Sequence, residues 1–398
     1  MKKICILGLG YIGLPTASIL CENGYNVIGV DTNPDVLKKI KENKFIEKEP
    51  FLNDLVDKSI KSGRLKLKQT PSQSDVYIIC TPTPVIFSRK IGVPDLSYVY
   101  SAINSILHLL KPTDILIIES TIPVGTTKEI KKLVVKYNSE LHKICFAHCP
   151  ERVLPGNIIF EIKNNPRIVG GAKKKDSKDV KKFFSTFING EIIETSSNIA
   201  EMCKLTENSF RDVNIAFANE LSIICDKNNM NVNEVIKIAN LHPRVNILNP
   251  GIGVGGHCIP VDPWFLIYNF QKETKLLQSA RLVNINKTEY VIKAIIREIN
   301  VFSKKMNKKP KISFLGLSYK PNTGDIRESA AIKIINEIKL HINEYFIVDP
   351  FVKNFLGKKL SILDEAVNNS DLIIKLVAHD CFLDLEKNKI SDNIIDFT

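Results

Sequence analysis

The chain has 398 residues, of which 44% are hydrophobic and 25% are charged. These fractions are those of an ordinary soluble globular protein, and the length predicts two or three domains. The 55 Lys and Arg residues outnumber the 43 acidic residues, so the net charge is +12. The lysines are scattered and are not interleaved with aromatic residues, which indicates a solvated basic surface or an anionic ligand before a nucleic acid. We therefore expect no nucleic-acid partner.

The N-terminal segment begins with two lysines and an apolar run, as a signal peptide does. Three glycines and Pro15 interrupt the run, which is better explained as a strand that enters a turn. No segment contains the roughly 18 uninterrupted apolar residues that a membrane span requires. Nine dispersed cysteines without a CxxC pair favour a reducing compartment over a disulfide framework. We expect a cytoplasmic protein that binds no membrane.

Two His-Cys dipeptides raise the possibility of a metal site. They are His148-Cys149 and His257-Cys258. Zinc ligands normally stand two to four residues apart, because adjacent residues rarely reach the same tetrahedral ion. We therefore expect no metal.

The first 31 residues have the pattern of a dinucleotide-binding unit. An apolar strand at residues 3–7 leads into Gly8-Leu9-Gly10-Tyr11-Ile12-Gly13, and a helical pattern and a second apolar run that ends at Asp31 follow. A strand, a G-x-G-x-x-G turn, a helix and a strand that ends in an acid are the parts of a Rossmann βαβ unit. The sequence therefore predicts a Rossmann domain at the N-terminus.

The glycines and the acid of this unit have separate roles. Gly8 allows a tight turn, Gly10 lets a pyrophosphate approach the backbone, and Gly13 lets the helix pack on the strand. Free N–H groups at the helix N-terminus favour the phosphates. Asp31 would accept hydrogen bonds from the adenosine ribose, and its charge would repel a 2′-phosphate. We therefore predict NAD, and not NADP, as the cofactor.

Three further buried strands are predicted at residues 76–80, 115–119 and 144–146. Each ends in a polar or proline-rich loop. Ligands of a doubly wound sheet bind beyond the carboxyl ends of its parallel strands, so the three loops are expected to converge on one cleft.

Two residues of these loops have alternative interpretations. Thr121 is a candidate helix N-cap or a residue of the cleft, and both roles can hold together. Glu151 either pairs with Arg152 or takes part in chemistry, and its place at a strand end favours chemistry.

The central part of the chain is predominantly helical. Long helical patterns cover residues 197–226 and 276–304. On the first of them Lys204, Asn208 and Arg211 share one face, because they stand four and seven residues apart. This face is either exposed to solvent or the wall of a site that binds anions or oxygen atoms. The helical region is a natural dimerisation platform.

A glycine-rich loop at residues 249–264 separates the two long helices. A backbone rich in glycine can approach a ligand closely, and Cys258 at the end of this loop is placed as a nucleophile would be. Asp262 follows four residues later. The alternative is a surface turn that carries an inert, buried thiol.

The C-terminal part is a second α/β unit, with strands predicted at residues 311–315, 344–349, 372–376 and 393–397. It contains a glycine turn but no G-x-G-x-x-G, so it favours a nucleotide over a second dinucleotide. The predicted fold is α/β, with an N-terminal Rossmann domain, a central helical dimerisation domain and a C-terminal Rossmann-like domain. The predicted boundaries are residues 1–196, 197–304 and 305–398.

A nicotinamide domain and a candidate cysteine nucleophile are informative as a pair. Oxidation of an alcohol to a carbonyl needs no thiol. Oxidation of the resulting aldehyde does, because a thiolate can add to it, hydride can leave to NAD, and water can cleave the thioester that remains. Lys204 and Asn208 could stabilise the tetrahedral oxyanions.

Seven motifs carry a family resemblance. They are residues 8–13, 119–125, 149–156, 204–208, 211–216, 253–265 and 319–329. With these motifs the chain resembles the UDP-glucose/GDP-mannose dehydrogenase family over essentially its whole length. The resemblance implies NAD-dependent oxidation of C6 of a UDP-sugar to a uronic acid, with UDP bound by the third domain and an obligate homodimer formed by the central helices.

The resemblance also implies roles for individual residues. The implied catalytic residues are Cys258 as nucleophile, Lys204 and Asn208 at the alkoxide, Asp262 as the partner that orients water or lysine, Glu151 in thioester hydrolysis, and Thr121 near the nicotinamide. The implied cofactor contacts are Gly8, Gly10, Tyr11, Ile12, Gly13, Asp31, Thr81, Thr83, Thr121 and Arg327. The implied substrate contacts are Glu151, Arg152, Val153, Lys204, Asn208, Arg211, Gly255, His257, Tyr319, Lys320 and Arg244, the last reaching the substrate of the neighbouring subunit.

The identity of the sugar rests on departures from the commoner family pattern. Val261 stands where many members have a lysine, and His257 precedes the cysteine. These departures resemble the branch that oxidises N-acetylated sugars, and the motifs 211–214 and 262–264 favour UDP-N-acetylmannosamine over UDP-N-acetylglucosamine, with UDP-glucose a further alternative. Two other classes stay open: a two-electron hydroxyacid or sugar dehydrogenase in which Cys258 is structural, and an NAD-sensing binding module.

Overall fold

The computed structural model describes residues 2–44, 49–88, 91–154, 156–386 and 393–398. It contains two compact units. The first comprises Met1–Glu207 and Trp264–Asn269, and the second comprises Asn208–Pro263 and Phe270–Thr398. The three domain boundaries expected from the sequence stay a prediction.

An eight-stranded sheet forms the centre of the first unit. The strands of this unit are β1 (Lys3–Leu7), β2 (Asn26–Val30), β3 (Leu65–Lys68), β4 (Val76–Ile79), β5 (Val85–Ser88), β6 (Ile91–Pro94), β7 (Ile115–Ile118), β8 (Cys145–His148), β9 (Arg167–Gly171) and β10 (Ile192–Ser196). The sheet order is β10-β9-β8-β7-β4-β1-β2-β3. Its neighbouring strands are parallel except for β8 and β9, which are antiparallel.

Helices cover both faces of this sheet. They are α1 (Gly13–Glu22), α2 (Pro34–Lys41), α3 (Leu52–Lys61), α4 (Ser97–Ile106), α5 (Thr126–Tyr137), α6 (Ile158–Asn164) and α7 (Lys174–Phe184). Alternate residues of each strand face opposite sides, so Ile4 and Ile6 belong to one apolar cluster and Cys5 and Leu7 to the other. Strands buried on both faces read as continuous apolar runs, which explains why they could be predicted.

Four helices follow in the chain: α8 (Ser197–Lys227), α9 (Val232–Ala239), α10 (Asp262–Asn269) and α11 (Lys275–Met306). The C-terminal part then contains β11 (Ile312–Leu315), α12 (Ala330–Ile338), β12 (Tyr345–Val348), β13 (Asn354–Phe355), β14 (Lys358–Lys359), α13 (Leu363–Asn368), β15 (Leu372–Lys375) and β16 (Ile394–Asp396). Its parallel sheet has the order β12-β11-β15-β16. The predicted α/β class, with helices between a mostly parallel sheet and a parallel sheet along the chain, is confirmed. Within the described residues, no helix has the length and apolar character needed to cross a bilayer.

The hairpin of β5 and β6 was not expected from the sequence. Its strands pair from Val85↔Pro94 to Ser88↔Ile91, and residues 89 and 90 between them lie outside the described part of the chain. Phe87 meets Trp264 edge to face, with ring centroids 5.6 Å apart, and Trp264 belongs to the same compact unit. Gly92 is close to the same ring, because a Cβ atom at this position would lie 2.6 Å from Trp264 Cγ. The hairpin therefore covers one side of α10.

His148 ends β8 and is fully buried. Burial lowers the pKa of its imidazole to about 3, and the positive charges of Lys204 and Arg167 act in the same direction. The unfolded chain binds a proton at this histidine near pH 6.5, whereas the folded chain does not. Between about pH 6.5 and pH 3, the free energy of unfolding should therefore fall by about 1.4 kcal/mol for each unit that the pH falls.

Replacement of His148 by leucine should remove this pH dependence. Between pH 7 and pH 5, the wild-type protein should lose about 2 kcal/mol more than His148→Leu, as measured by urea unfolding at both pH values. Asp114, whose pKa burial raises to about 6, contributes equally to both proteins and cancels in the difference. Parallel stability profiles for the two proteins would contradict the expected role of His148.

Candidate active site

The glycine turn after β1 has the geometry of a phosphate-binding turn. Gly8 has a φ of +97°, and a Cβ atom there would lie 2.6 Å from the carbonyl oxygen of Cys80. A Cβ atom on Gly13 would lie 1.9 Å from the carbonyl oxygen of Gly8, whereas one on Gly10 would meet nothing within 4 Å. Two glycines are thus required by packing, and Gly10 faces open space. This arrangement fits a dinucleotide whose pyrophosphate approaches the N-terminus of α1.

The acid after β2 lies beside this turn. Asp31 accepts a hydrogen bond from the backbone N–H of Leu9 at 3.1 Å and another from Asn33 at 2.9 Å. Its carboxylate is therefore oriented at the glycine turn. Tyr11, within the turn, donates its hydroxyl to Glu49 at 2.9 Å, and Ile12 is half-buried beside it.

The loops after β4 and β7 are neighbours because these strands are paired. Thr81 and Thr83 are half-buried in the first loop, and the Ser120 hydroxyl donates to the Thr81 carbonyl at 2.7 Å. Thr121 is half-buried in the second loop. Two of the three loops that were expected to converge are thus joined by a hydrogen bond.

The interpretation of Thr121 as a helix N-cap is wrong. The helix α5 begins at Thr126, and its N-cap is Gly125 with a φ of 100°. The capping acceptor is Glu201, which receives hydrogen bonds from the N–H groups of Gly125 at 2.6 Å and Thr127 at 2.8 Å. A carboxylate from a distant helix replaces the local cap.

Glu151 lies in a buried charge cluster. Arg167, at the start of β9, forms ion pairs with both Glu151 and Glu119. Burial raises the pKa of Glu119, although the positive charge of Arg167 opposes the shift. The two terminal nitrogens of the Arg152 guanidinium donate to Glu207 and to the carbonyl of Pro166, and within the described residues Arg152 contacts Glu151 through its backbone N–H. The alternative in which Glu151 merely pairs with Arg152 is therefore wrong.

The same loop contacts the beginning of α8. The Lys204 ammonium donates to the carbonyl oxygen of Glu151 at 2.8 Å. Val153 is half-buried in this loop, whereas Pro155 of the 149–156 motif lies outside the described residues. Thr121, Glu151 and Lys204 all belong to the first unit.

The other predicted catalytic residues lie together in the second unit. Asn208 is buried and donates its amide N–H to the Asp262 carboxylate at 2.6 Å. The backbone N–H of Asp262 donates to the carbonyl of Cys258 at 2.8 Å, so one turn of chain links the acid to the cysteine. Cys258 is half-buried, and a thiol that solvent can reach is open to reaction, whereas a fully buried thiol is usually inert.

Side chains from α8 and α11 fix the backbone of the cysteine loop. Asn214 accepts from the N–H of Leu248 at 3.0 Å, and Asn219 accepts from that of Gly251 at 2.9 Å. The Thr288 hydroxyl donates to the carbonyl of residue 252 at 2.9 Å. Three helix side chains thus fix a loop that has no regular structure of its own.

A buried ion pair supports the end of this loop. Arg281 pairs with Asp212 at 3.0 Å and also donates to the carbonyl of Ile259, the residue after the cysteine, at 3.4 Å. Asn284 donates to the same Asp212 oxygen at 2.8 Å. Burial raises the pKa of Asp212 to about 6, and the charge of Arg281 opposes this shift. Neither member of the pair was identified from the sequence.

The glycines before the cysteine pack against the 319–329 motif. A Cβ atom on Gly255 would lie 2.7 Å from Tyr319 Cβ, and the N–H of Gly256 donates to the carbonyl of Arg327 at 3.0 Å. Arg327 binds Asp325 through Nη2 at 2.6 Å. Burial by itself would raise the pKa of the Asp325 carboxyl. The hydrogen bonds and the charge of Arg327, together with His257, outweigh burial and hold this pKa below its usual value.

The remaining predicted substrate contacts of the second unit lie nearer the surface. Arg211 and Arg244 are exposed, and the Lys320 ammonium lies 5.9 Å from the centre of the Tyr319 ring. Asn240 closes the loop around Arg244 by accepting from the N–H of Ile247 at 2.8 Å. The structure thus joins Glu151 to Lys204 in the first unit, and Asn208 and Cys258 to Asp262 in the second.

Family models match three consecutive parts of the chain. The NAD binding domain of the UDP-glucose/GDP-mannose dehydrogenase family matches residues 2–188, the central domain matches residues 198–287, and the UDP binding domain matches residues 313–396. Together the three models cover most of the chain. The chain belongs to the UDP-glucose/GDP-mannose dehydrogenase family. Its membership establishes NAD as the cofactor of the first unit, where the glycine turn and Asp31 fit it.

Relatives within the family are similar from end to end. The chain is 45% identical to UDP-N-acetyl-D-mannosamine dehydrogenase of Methanococcus maripaludis, over 98% of this chain and 90% of that protein. It is 40% identical to NDP-N-acetyl-D-galactosaminuronic acid dehydrogenase of Ralstonia nicotianae, over 99% of this chain and 95% of that protein. A solved structure of UDP-D-ManNAc dehydrogenase from Pyrococcus horikoshii has a TM-score of 0.90, with 37% identity over 99% of this chain and 95% of that chain.

Proposed function

We propose that this dehydrogenase oxidises C6 of UDP-N-acetyl-D-mannosamine to UDP-N-acetyl-D-mannosaminuronic acid. The observation that carries the proposal is the 45% identity, along almost the whole chain, to a protein named for this substrate. One alcohol, two NAD⁺ and one water give one carboxylate, two NADH and three protons. The reaction removes four electrons, which is what distinguishes it from ordinary alcohol oxidation.

The proposed chemistry assigns Cys258 as the nucleophile. NAD, when bound, accepts the hydride in both oxidation steps. The Cys258 thiolate adds to the C6 aldehyde, and the thioester left after the second oxidation is cleaved by water. The Lys204 ammonium and the Asn208 amide donate to the oxygen that carries negative charge at each tetrahedral stage. Glu151 holds the attacking water, while Asp262 orients Asn208 through their 2.6 Å hydrogen bond.

The other roles follow the family motifs. Thr121 lies at the nicotinamide. Gly255, Tyr319 and Lys320 bind the substrate, and Arg327 lies towards the cofactor. His257 donates to the acetamido oxygen of the sugar or orders the loop, since a neutral imidazole offers one donor.

An end-point assay with four substrates tests the proposal. UDP-N-acetylmannosamine, UDP-N-acetylglucosamine, UDP-N-acetylgalactosamine and UDP-glucose are each incubated with excess NAD, and the acid product is identified by mass. We expect two NADH for each UDP-N-acetylmannosamine consumed and the highest kcat/KM with this sugar. The galactosamine arm is included because a relative is named for a galactosaminuronic acid. One NADH per substrate would indicate a two-electron dehydrogenase, and NADH binding without turnover would indicate a sensing module.

Replacement of Asp31 by alanine should change the choice of cofactor. The carboxylate, fixed by the Leu9 N–H, can accept from the ribose hydroxyls of NAD and repel the 2′-phosphate of NADP. We expect the Kd of NAD to rise about tenfold and the preference for NAD over NADP to fall by a larger factor, because attraction and repulsion are both lost. Titration of both cofactors by fluorescence measures the change. Unaltered binding of both would disprove the ribose role.

We also propose a homodimer that forms through the central helices. Phe210, Phe217 and Ile224 are 67%, 55% and 49% exposed, and they stand seven residues apart on one face of α8. A row of exposed aromatic and aliphatic side chains is typical of a protein–protein interface. Arg244, in the exposed loop closed by Asn240, would reach the substrate of the partner subunit.

The dimer proposal predicts that Phe217→Asp dissociates the protein. A charge in the middle of an apolar interface is left desolvated and unpaired, so we expect a monomer with at least about tenfold lower activity. Light scattering coupled to size exclusion measures the mass. Leu340→Asp is the matched control, because Leu340 is 69% exposed outside this face. A dimeric Phe217→Asp variant would disprove the interface.

The compartment is proposed from the thiols. The nine cysteines are dispersed without a CxxC pair and include the exposed Cys381, which favours the cytoplasm, where thiols stay reduced.

A further inference from the structure

We infer that Arg167 is a positioning residue for the hydrolysis step, because its guanidinium holds the carboxylate of Glu151, the residue assigned to the attacking water. The inference rests on the proposed function. It concerns a residue that lies outside every motif identified in the sequence.

The topology of the sheet places Arg167 beside Glu151. The strand β9 runs antiparallel to β8, with His148 opposite Gly170. If this register is continued by three residues beyond the carboxyl end of β8, Arg167 lies opposite Glu151. The first residue of β9 therefore reaches the ligand side of the sheet, where the parallel strands present their last residues.

The guanidinium links two carboxylates. Nη1 binds Glu151 and Nη2 binds Glu119, while the ring of Phe184 lies 4.8 Å from the guanidinium carbon. The Arg167 side chain is 5% exposed, and those of Glu119 and Glu151 are 1% and 9% exposed. The planar fork of arginine can bind two acceptors at once in fixed directions, whereas an ammonium is a single point charge.

Both oxygens of the Glu151 carboxylate are therefore constrained. Oε2 is held by Arg167, and Oε1 accepts from the backbone N–H of Arg152 at 2.7 Å. The carbonyl of Glu151 accepts from the Lys204 ammonium at 2.8 Å. Arg167 contacts the carboxylate of Glu151 and Lys204 contacts its main chain, so loss of the arginine fork should displace the group that holds water and leave the Lys204 contact in place. Glu119 has a different place in the cluster, since it touches neither the Glu151 main chain nor Lys204 through any hydrogen bond among the described residues.

The inference predicts a specific kinetic effect of Arg167→Lys. Both oxidations precede hydrolysis, so the variant should release a burst of two NADH per subunit and then turn over about 10- to 100-fold more slowly than wild type, as expected for a catalytic group displaced by about 1 Å. Because kcat/KM reports only the steps up to the first irreversible one, kcat and KM should fall together. Intact-protein mass spectrometry should detect the acyl group on Cys258.

Two further variants separate positioning from stability. Glu119→Gln breaks the same buried network but leaves the Arg167–Glu151 pair in place, so it should lower Tm without accumulating the acyl-enzyme. Glu151→Gln should accumulate the acyl-enzyme as Arg167→Lys does. If Glu151→Gln shows no adduct, the proposed hydrolytic role of Glu151 fails, and the proposed function must be revised.

The inference itself is overturned if Glu151→Gln accumulates the adduct and Arg167→Lys does not, or if Arg167→Lys loses kcat/KM as strongly as kcat. Arg167→Gln, which keeps an uncharged amide donor on a shorter side chain, is the second test in case the lysine variant does not fold. The same burst and the same adduct are expected from it, and their absence in whichever variant folds rejects the positioning role.

Discussion

Cys258→Ser should lose at least about 1,000-fold in kcat while it still binds NAD and the UDP-sugar. A serine hydroxyl adds poorly to the aldehyde, and any oxyester that forms hydrolyses slowly. The loop backbone should keep its geometry, because Asn214, Asn219 and Thr288 hold it by hydrogen bonds. The expected protein is therefore folded, binding-competent and almost inactive.

The measurement is NADH release at saturating substrate, with Kd values from calorimetry. Cys381→Ser is the matched control, since Cys381 is an exposed free thiol outside the cysteine loop and should tolerate the same change. Full activity of Cys258→Ser would reject the nucleophile, and the interpretation of Cys258 as a structural thiol would then hold. A loss of binding in the variant would reject the claim that the thiol is dispensable for the loop.

Arg281→Met should destabilise the second unit by about 3–5 kcal/mol, because it leaves the Asp212 carboxylate buried without its counter-ion. Asp212 is fully buried, and its pKa already lies near 6. The variant also loses the donor to the carbonyl of Ile259, next to the nucleophile. We therefore expect lower activity in the fraction that remains folded, with stability measured by urea unfolding at pH 7.5.

A second substitution separates these two effects. Arg281→Met/Asp212→Asn removes both charges but keeps an acceptor for Asn284, so much of the stability should return. Activity should stay low, because the Ile259 carbonyl still lacks its donor. If the single variant loses less than about 1 kcal/mol, the ion pair does not support the loop. If the double variant regains activity together with stability, Arg281 does not position the cysteine loop.

Much of the fold could be predicted because its signals are local. The strands that were predicted are short apolar runs. Gly8 and Gly13 are required because a Cβ atom at either position would clash with a backbone oxygen. The cysteine loop was also identified from its own residues. Asn208, Cys258 and Asp262 were then found together, since the spacing of the last two is a single turn and Asn208 lies on the adjoining helix α8.

The residues that were missed act over long sequence separations. Glu201 caps α5 from 74 positions away, and Arg167 reaches Glu119 across 48. No local pattern encodes such pairs. The face of α8 chosen from the sequence also included exposed Arg211, whereas the buried acids and amides form a stripe that shares only Asn208 with that face. This stripe consists of Glu201, Asn208, Asp212 and Asn219. Acids and amides that recur at helical spacing were the signal in the sequence that could have identified this buried face of α8.

The first compact unit is built from two separate segments of the chain, and this limits where the protein can be cut into fragments. Trp264 is separated by more than 50 residues from the rest of the first unit, and yet its ring packs against Phe87 of that unit. A fragment that stops at residue 207 would leave the β5–β6 hairpin without this ring, and its aromatic and aliphatic side chains would be free to aggregate. The cofactor-binding half, if produced alone, therefore needs the helix α10 grafted back, and a single protease cut between the halves cannot yield two intact pieces.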